Sequence, residues 1–375
     1  MSRLNINNLT NENEDGSPKI TGITTFSSTA FLEAPKGTTA QRPENVAPGM
    51  IRFNTDSGHL EYYTGEFWDE VLVKETSGIS PRGVFIGGQN PSPTPTVYNT
   101  LDYVTIASTG NAVDFGDIAQ SGGTYDAAAS ASRTRGVYAG GRAPGVINTI
   151  EYFEFSSISN AIDFGDLATS RFELSSCSDS TRALFAGGRN PTVLSSIEKI
   201  TISSTGSTAS FGSLSGSRRC MGGLSSPTRG VFGGAYGPVD NIIEYVTIQS
   251  DGSISDFGDL TSARGFVAGC VSSSTRGLFG GGDIGGTKTN VIDYITISTS
   301  GNAINFGNLN ASSGRSAAAG ASSSTRGVFG GGYEATAVNT IDFVTIATLG
   351  NAQDFGDLTA SRTRVTGCSN GHGGL

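Results

Sequence analysis

The tetrapeptide DFGD at Asp114–Asp117 sets two carboxylates around a glycine, as a kinase does to hold magnesium, and near-copies follow down the chain. Its company excludes that chemistry: the motif recurs in every repeat, with neither a partner lysine strand nor an HRD catalytic loop. The RGVFGGG segments invite a phosphate cradle, yet no GK[ST] follows and no helix is predicted to receive a phosphate. Repeated aspartates could also hold calcium. The third copy, however, has Ser210 and Ser213, and the fifth Asn305 and Asn308, so the ligand set is not kept. Turn capping and strand-end hydrogen bonds are the expected roles. Cys177, Cys220, Cys270 and Cys368 form no CxxC pair, and His59 and His372 are the two histidines. A zinc site, a disulfide scaffold and a catalytic triad are not expected. The expected cofactor and metal content is none. Glycoside hydrolysis would need two opposed carboxylates. Glu154, Asp283 and Glu334 are acids outside the repeat pattern, but nothing singles them out for that work.

Composition points to what positions these groups. Of 375 residues 54 are glycine, about twice the usual share, and only 15% are charged. Short strands joined by tight turns fit that balance; bundles and collagen do not. No apolar run reaches the ~18–20 residues that cross a bilayer. The opening MSRLNINNLTNENEDG lacks the apolar segment of a secretory leader. Net charge is −9 and the 24 Lys and Arg form no basic run, which disfavours nucleic acid.

Repeats decide the architecture. A segment typified by RGVFGGG begins at Arg82, Arg135, Arg182, Arg229, Arg276 and Arg326, at intervals of 53, 47, 47, 47 and 50 residues. An aromatic stands three positions on, and a glycine five positions on, in each copy. A second strand, as in NTIDFVTI, carries one acid: Asp102, Glu151, Glu198, Glu244, Asp293 or Asp342. A third centres on Phe115, Phe164, Phe211, Phe257, Phe306 or Phe355, each followed by glycine. A fourth starts near an arginine and uses small residues, as in RSAAAGASSS. Four short antiparallel strands in about 45–50 residues are the pattern of a propeller blade. The small-residue strand is expected innermost, where blades crowd the axis, with the four cysteines as buried fillers. The repeated arginines and acids could form interblade ion pairs that set register. The stretch before Arg82 is too short for an inner strand, whereas SRTRVTGCSNGHGGL at the end offers a spare one. That spare strand is expected to close the ring by pairing into the first blade.

The double glycine at Gly187 and Gly188, the acid–aromatic pair Glu244–Tyr245 and the arginines Arg171, Arg264 and Arg362 give the pattern a resemblance to the kelch repeat family, six-bladed examples included. It covers about residues 76–375. It departs where phenylalanine replaces the family's tryptophan and in a longer hairpin. The expected fold class is all-β: a six-bladed kelch-like β-propeller closed by a C-terminal strand, preceded by a small β-meander at 47–75 and an extended arm at 1–46. The meander is expected as strands Met50–Asn54, His59–Tyr63 and Phe67–Val73.

Within the meander, GMIRFNTDSGHLEYYTGEFW resembles a short module of tailed-phage virion proteins, fibre-like ones above all. That resemblance implies an anchoring segment ahead of a recognition domain. The loops after the double glycine vary most between repeats, and a rigid scaffold with variable loops commonly carries a binding surface. In the kelch family such loops line the usual ligand face. The candidate ligand-binding residues are Gln89, Asn90, Arg142, Arg189, Asn190, Tyr236, Asp283, Tyr333 and Glu334. Together these readings predict a non-enzymatic phage virion protein, tail fibre or fibre-like. It would attach to other virion proteins through residues 1–75 and contact a host surface glycan or protein through the loops. It is expected to be assembled in the host cytoplasm, without nucleic acid or membrane insertion, as a homo-oligomer with a trimer as one form. The alternatives are a capsid or neck decoration protein and, further off, a polysaccharide-degrading enzyme.

Overall fold

The computed structural model describes residues 34–71, 80–120, 122–142, 144–267 and 269–375. Most of the expected arm, the end of the expected third meander strand and most of the stretch before Arg82 lie outside the described residues. The chain divides into two compact units, Met1–Gly78 and Ile79–Leu375. Among the described residues it is all-β, with a single helical turn at Thr39–Gln41.

In the first unit, Ile51–Asn54, His59–Tyr63 and Trp68–Glu70 form an antiparallel meander, and Lys36–Gly37 adds a parallel edge. The third strand is shorter than expected: TGEF is spent on the turn, where the Thr64 hydroxyl bonds to the backbone of Phe67. Alternation along Ile51–Asn54 sends Arg52 and Asn54 to one face, Ile51 and Phe53 to the other. The first face is buried and polar. There Glu61, fully buried, accepts from Arg42 (2.6 Å), Arg52 (2.7 Å) and Asn54 (3.2 Å). The hydrogen bond from Arg42 holds the Glu61 carboxyl below its ordinary pKa despite burial. On the other face, Ile51 remains 53% exposed and Phe53 38%.

The second unit is a succession of antiparallel sheets built on a four-stranded meander. Five of them run in chain order from the small-residue strand, which counts as the first strand of each sheet from here on, with the RGVFGGG strand second and the acid-bearing strand third: they start at Ala128–Ala131, Ser175–Ser178, Gly222–Ser225, Cys270–Ser272 and Ala319–Ser322. In the remaining one, C-terminal Thr366–Ser369 pairs antiparallel with Arg82–Ile86, Cys368 opposite Val84 and Gly367 opposite Phe85. The first strands touch one another in cyclic order, and Thr366–Ser369 lies against both Ala319–Ser322 and Ala128–Ala131. Small residues are required there. A Cβ on Gly320 would lie 2.3 Å from the Cys270 carbonyl oxygen. Apolar cores fill the spaces between neighbouring sheets. Phe85, Val104 and Ile106 of the first pack on Val328, Ile341 and Phe355 of the last, just as Leu278 and Ile292 pack on Phe329 and Val344.

The DFGD copies are β-bulges. Leu101 pairs with Gly116 and Asp102 with Asp114, which leaves Phe115 as the extra residue. The bulge turns Phe115 into the core at 0% exposure. Its glycine is needed because the Ser159 carbonyl of the next sheet would lie 2.6 Å from any Cβ there. The other five sheets shift register at the same place, beside the acid of the third strand.

The expected pairing of second-strand arginines with third-strand acids does not form. Those arginines reach forward to backbone carbonyls of the next sheet: Arg82 to Phe155 (2.6 Å), Arg229 to Ile297 (2.9 Å), and Arg326 back to Ile106 (3.1 Å). The acids take the arginine that precedes the first strand. Arg264 meets Asp293 at 3.0 Å and Arg362 meets Asp102 at 2.6 Å, with every side chain at 0% exposure. Asp102, Glu151, Glu198, Asp293 and Asp342 each also accept an N–H from the connection out of the preceding sheet, Asp102 from Thr359 at 3.0 Å. One carboxylate therefore fastens two sheets. In the second sheet Thr124 stands where the others have arginine. Tyr138 replaces phenylalanine there and turns its hydroxyl toward Glu151, whose charge, after burial, helps hold that phenol protonated.

The cysteines are free. Cys177, Cys270 and Cys368 lie in first strands as expected, whereas Cys220 sits two residues before one. Burial pushes all four thiols well above their ordinary pKa. Since the thiolate is the nucleophile, iodoacetamide should leave the native protein unmodified and alkylate all four cysteines in denaturant. Intact mass would show it, and rapid native labelling of Cys177, Cys220 or Cys368 would contradict their burial, Cys270 being the half-buried one.

Candidate functional site: an arginine–aromatic rosette

Two residues after the arginine that precedes each first strand (Thr124 in the second sheet), the chain enters that strand through a left-handed residue: Asp126, Glu173, Cys220, Phe266, Ala317 and Arg364, with φ between 46° and 60°. None is glycine, so each carries a backbone cost of about 1–2 kcal/mol. Their amides explain the geometry. Glu173 N–H donates to the Asp126 carbonyl (2.8 Å), Cys220 to Glu173 (2.8 Å), Phe266 to Cys220 (2.9 Å), Ala317 to Phe266 (2.9 Å), Arg364 to Ala317 (2.8 Å) and Asp126 to Arg364 (3.3 Å). The six bonds form a closed cycle through all six sheets.

The loops after the double glycine are pinned to the same end. Arg142 and Tyr125 exchange backbone hydrogen bonds, as do Arg189 and Phe172, and Gln89 and Thr363. Side chains from both sets then interleave. Arg142 lies over Phe172 (4.8 Å) and Tyr125 (6.0 Å), and Arg189 over Phe172 (4.6 Å). Arg219 lies over Tyr236 (5.4 Å), Tyr236 tilts on Phe266 (4.8 Å), and Arg364 covers Phe266 (5.3 Å). Glu173 ties the two stacks together, meeting Arg219 at 2.5 Å, Arg189 at 2.9 Å and Arg364 at 3.8 Å. Asp126 meets Arg364 at 2.5 Å. Burial pushes the Asp126 carboxyl up to about 6, helped by the Glu173 charge and opposed by Arg364 and Arg142.

Of the expected ligand-binding residues, the structure brings Arg142, Arg189 and Tyr236 together here. The rest keep to their own loops. Gln89 and Asn90 form a two-residue strand against Thr96–Val97. Asn190 donates to Ser170 (2.8 Å), the Asp283 carboxylate caps its turn at Gly286, Glu334 pairs with Arg315 (3.0 Å), and Tyr333 lies under the Lys288 ammonium at 4.7 Å. Sequence reasoning missed Asp126, Glu173, Arg219 and Arg364. The available signal was a pair of columns: aligned on that arginine (Thr124 in the second sheet), the segments differ at the next two positions, Tyr125–Asp126, Phe172–Glu173, Arg219–Cys220, Gly265–Phe266, Ser316–Ala317 and Thr363–Arg364, ahead of a run of mostly small residues.

Beneath the rosette lies a cavity of about 140 Å³ walled by small residues, Ala128, Ser175, Gly222 and Ala318 among them. Further on, Ser178, Ser225, Ser272, Ser322 and Ser369 each donate to the carbonyl of the neighbouring first strand, at 2.7–3.0 Å. Ala131 interrupts that series. There His372 from the tail approaches the Ala131 carbonyl (2.9 Å) and the Ser178 hydroxyl (3.3 Å). Gly374 N–H donates to its Nδ1, which assigns the proton to Nε2, and burial lowers its pKa. Among the described residues no three His, Cys, Asp or Glu side chains converge as a metal site would need. The arrangement offers fixed guanidinium groups and aromatic edges, which is chemistry for recognition. No protein-family profile matches this chain, and no curated protein matches it either.

Proposed function

We propose that Ile79–Leu375 is a six-bladed kelch-like β-propeller and that the protein is a non-enzymatic component of a tailed-phage virion, a tail fibre or fibre-like protein. Residues 1–75 attach to other virion proteins or to further copies of the chain, and the propeller's loop end contacts a glycan or protein of the host surface. The observation that carries this reading is the rosette: loops that vary between repeats gather arginines and aromatics at one end of a rigid cycle of sheets. The likeness of GMIRFNTDSGHLEYYTGEFW to the phage module supports the anchor, as does the apolar face that Ile51 and Phe53 leave open. The unique acids weigh toward binding over hydrolysis, because Glu154, Asp283 and Glu334 already hold Arg135, Gly286 and Arg315.

Antibody against residues 79–375, imaged on intact particles, tests the assignment. Label at fibre tips is the expected result. Label spread over the head would favour the decoration alternative, and particles without label would overturn the virion assignment.

A further inference from the structure

We infer that the rosette is a binding site for a carboxylate-bearing saccharide, with Arg142 as its primary anion contact. This rests on the reading of the loop end as a host-surface contact and names the ligand class that it takes.

Three observations carry the inference. First, charge is unbalanced there. Among the described residues Arg142, Arg189, Arg219 and Arg364 face only Asp126 and Glu173, a surplus of two positive charges on a chain whose net charge is −9. Second, the imbalance has an address. Glu173 or Asp126 engages Arg189, Arg219 and Arg364, whereas Arg142 makes no ion pair among the described residues. Its Nε is buried without a hydrogen-bond partner, while its guanidinium is held over Phe172 and its backbone is pinned to Tyr125. A guanidinium fixed in this way has already lost most of the freedom it would lose on binding, and its planar fork matches a carboxylate. Third, the relief of the site suits a hydrophilic ligand. The cavity below is lined mostly by small residues, with Leu174, Met221, Val267 and Val365 among them, and all six residues of the amide cycle contribute to its wall. A sugar acid needs only the charge contact and aromatic edges for its C–H faces.

Acid should strengthen the site. The groups facing Asp126 are Arg364, Arg142, Glu173 and Cys220. As pH falls through about 6, Asp126 takes up a proton while uronate carboxylates stay ionised, and the positive surplus grows.

Calorimetry of the full chain with a galacturonate hexasaccharide tests this, with the neutral maltohexaose and a hexaglutamate peptide as controls. The galacturonate should bind, more weakly in high salt, and more tightly at pH 5.5 than at pH 7.5. Arg142→Gln should weaken binding by about tenfold with melting unchanged, and Arg142→Lys should restore part of it. Asp126→Asn should tighten binding at pH 7.5 and flatten the pH profile. Preference for maltohexaose or hexaglutamate, or galacturonate affinity that ignores Arg142, would overturn the inference. If galacturonate fails while the protein still binds host cells, the inference falls and the adhesion reading stands. If the protein binds no cells and no particle carries label, the adhesion reading falls with it.

Discussion

Deleting residues 366–375 is expected to abolish cooperative folding of the second unit, or to lower its melting temperature by more than about 15 °C. The lost strand supplies the whole inner ladder of one sheet, four residues from Thr366 opposite Ile86 to Ser369 opposite Gly83. Without it Val84 and Phe85, both at 0% exposure, lose one wall, and Val365 loses its place against the last sheet. Each large apolar side chain returned to water costs about 1.5–3 kcal/mol, and domains of this kind stand only about 5–15 kcal/mol above unfolding. The cut also opens the cycle of first strands and turns Arg82–Ile86 into an exposed edge. Removing 372–375 alone should cost far less, since it takes away His372 and its contacts with Ala131 and Ser178 but leaves the ladder. Unfolding followed by circular dichroism would separate the two deletions. Unchanged melting of the longer one would refute closure by the C-terminal strand.

Asp293→Ala should destabilise by about 3–5 kcal/mol, because it strands a buried guanidinium. Arg264 and Asp293 are both at 0% exposure, and the carboxylate also receives the Thr261 amide (3.0 Å) and hydroxyl (2.8 Å). For a unit of this size that is a fall in melting temperature of roughly 5–8 °C. Replacing both partners, Arg264→Met with Asp293→Leu, should recover much of the loss, since no charge is then left buried. Glu154→Ala is the contrast. Its pair with Arg135 has side chains 18% and 38% exposed and should be worth less than about 1 kcal/mol. Equal effects of Asp293→Ala and Glu154→Ala would contradict the role assigned to the buried acids.

These two tests bear on features that were not equally legible in the sequence. The closing strand could be read from the end of the chain, because small residues and cysteine at Thr366–Ser369 repeat the pattern of the other first strands. The partner of each acid could not. Asp102 meets Arg362 across 260 positions in sequence, beside the bulge at Leu101/Asp102, a three-dimensional fact. The same bulge gives DFGD its meaning, which the sequence shows only as repetition. In the first unit the alternation of Ile51–Asn54 was visible, but the buried face proved to be the one with Arg52 and Asn54, since Glu61 and Arg42 neutralise and saturate it. The candidate site was half legible. Loop variability pointed to Arg142, Arg189 and Tyr236. Asp126, Glu173, Arg219 and Arg364 were hidden in a segment read as filler, and it takes the left-handed backbone to turn them to one place.

Every part of this account depends on the second unit closing on itself, and the backbone cycle at the rosette reports that closure most directly. Native-state hydrogen exchange of the amides of Asp126, Glu173, Cys220, Phe266, Ala317 and Arg364 should show all six protected to a similar degree and exchanging through one cooperative opening. The bond from Asp126 to the Arg364 carbonyl joins the second sheet to the C-terminal strand. Fast exchange at Asp126 beside slow exchange at the other five would mean that the cycle is open there, and closure of the unit would be contradicted.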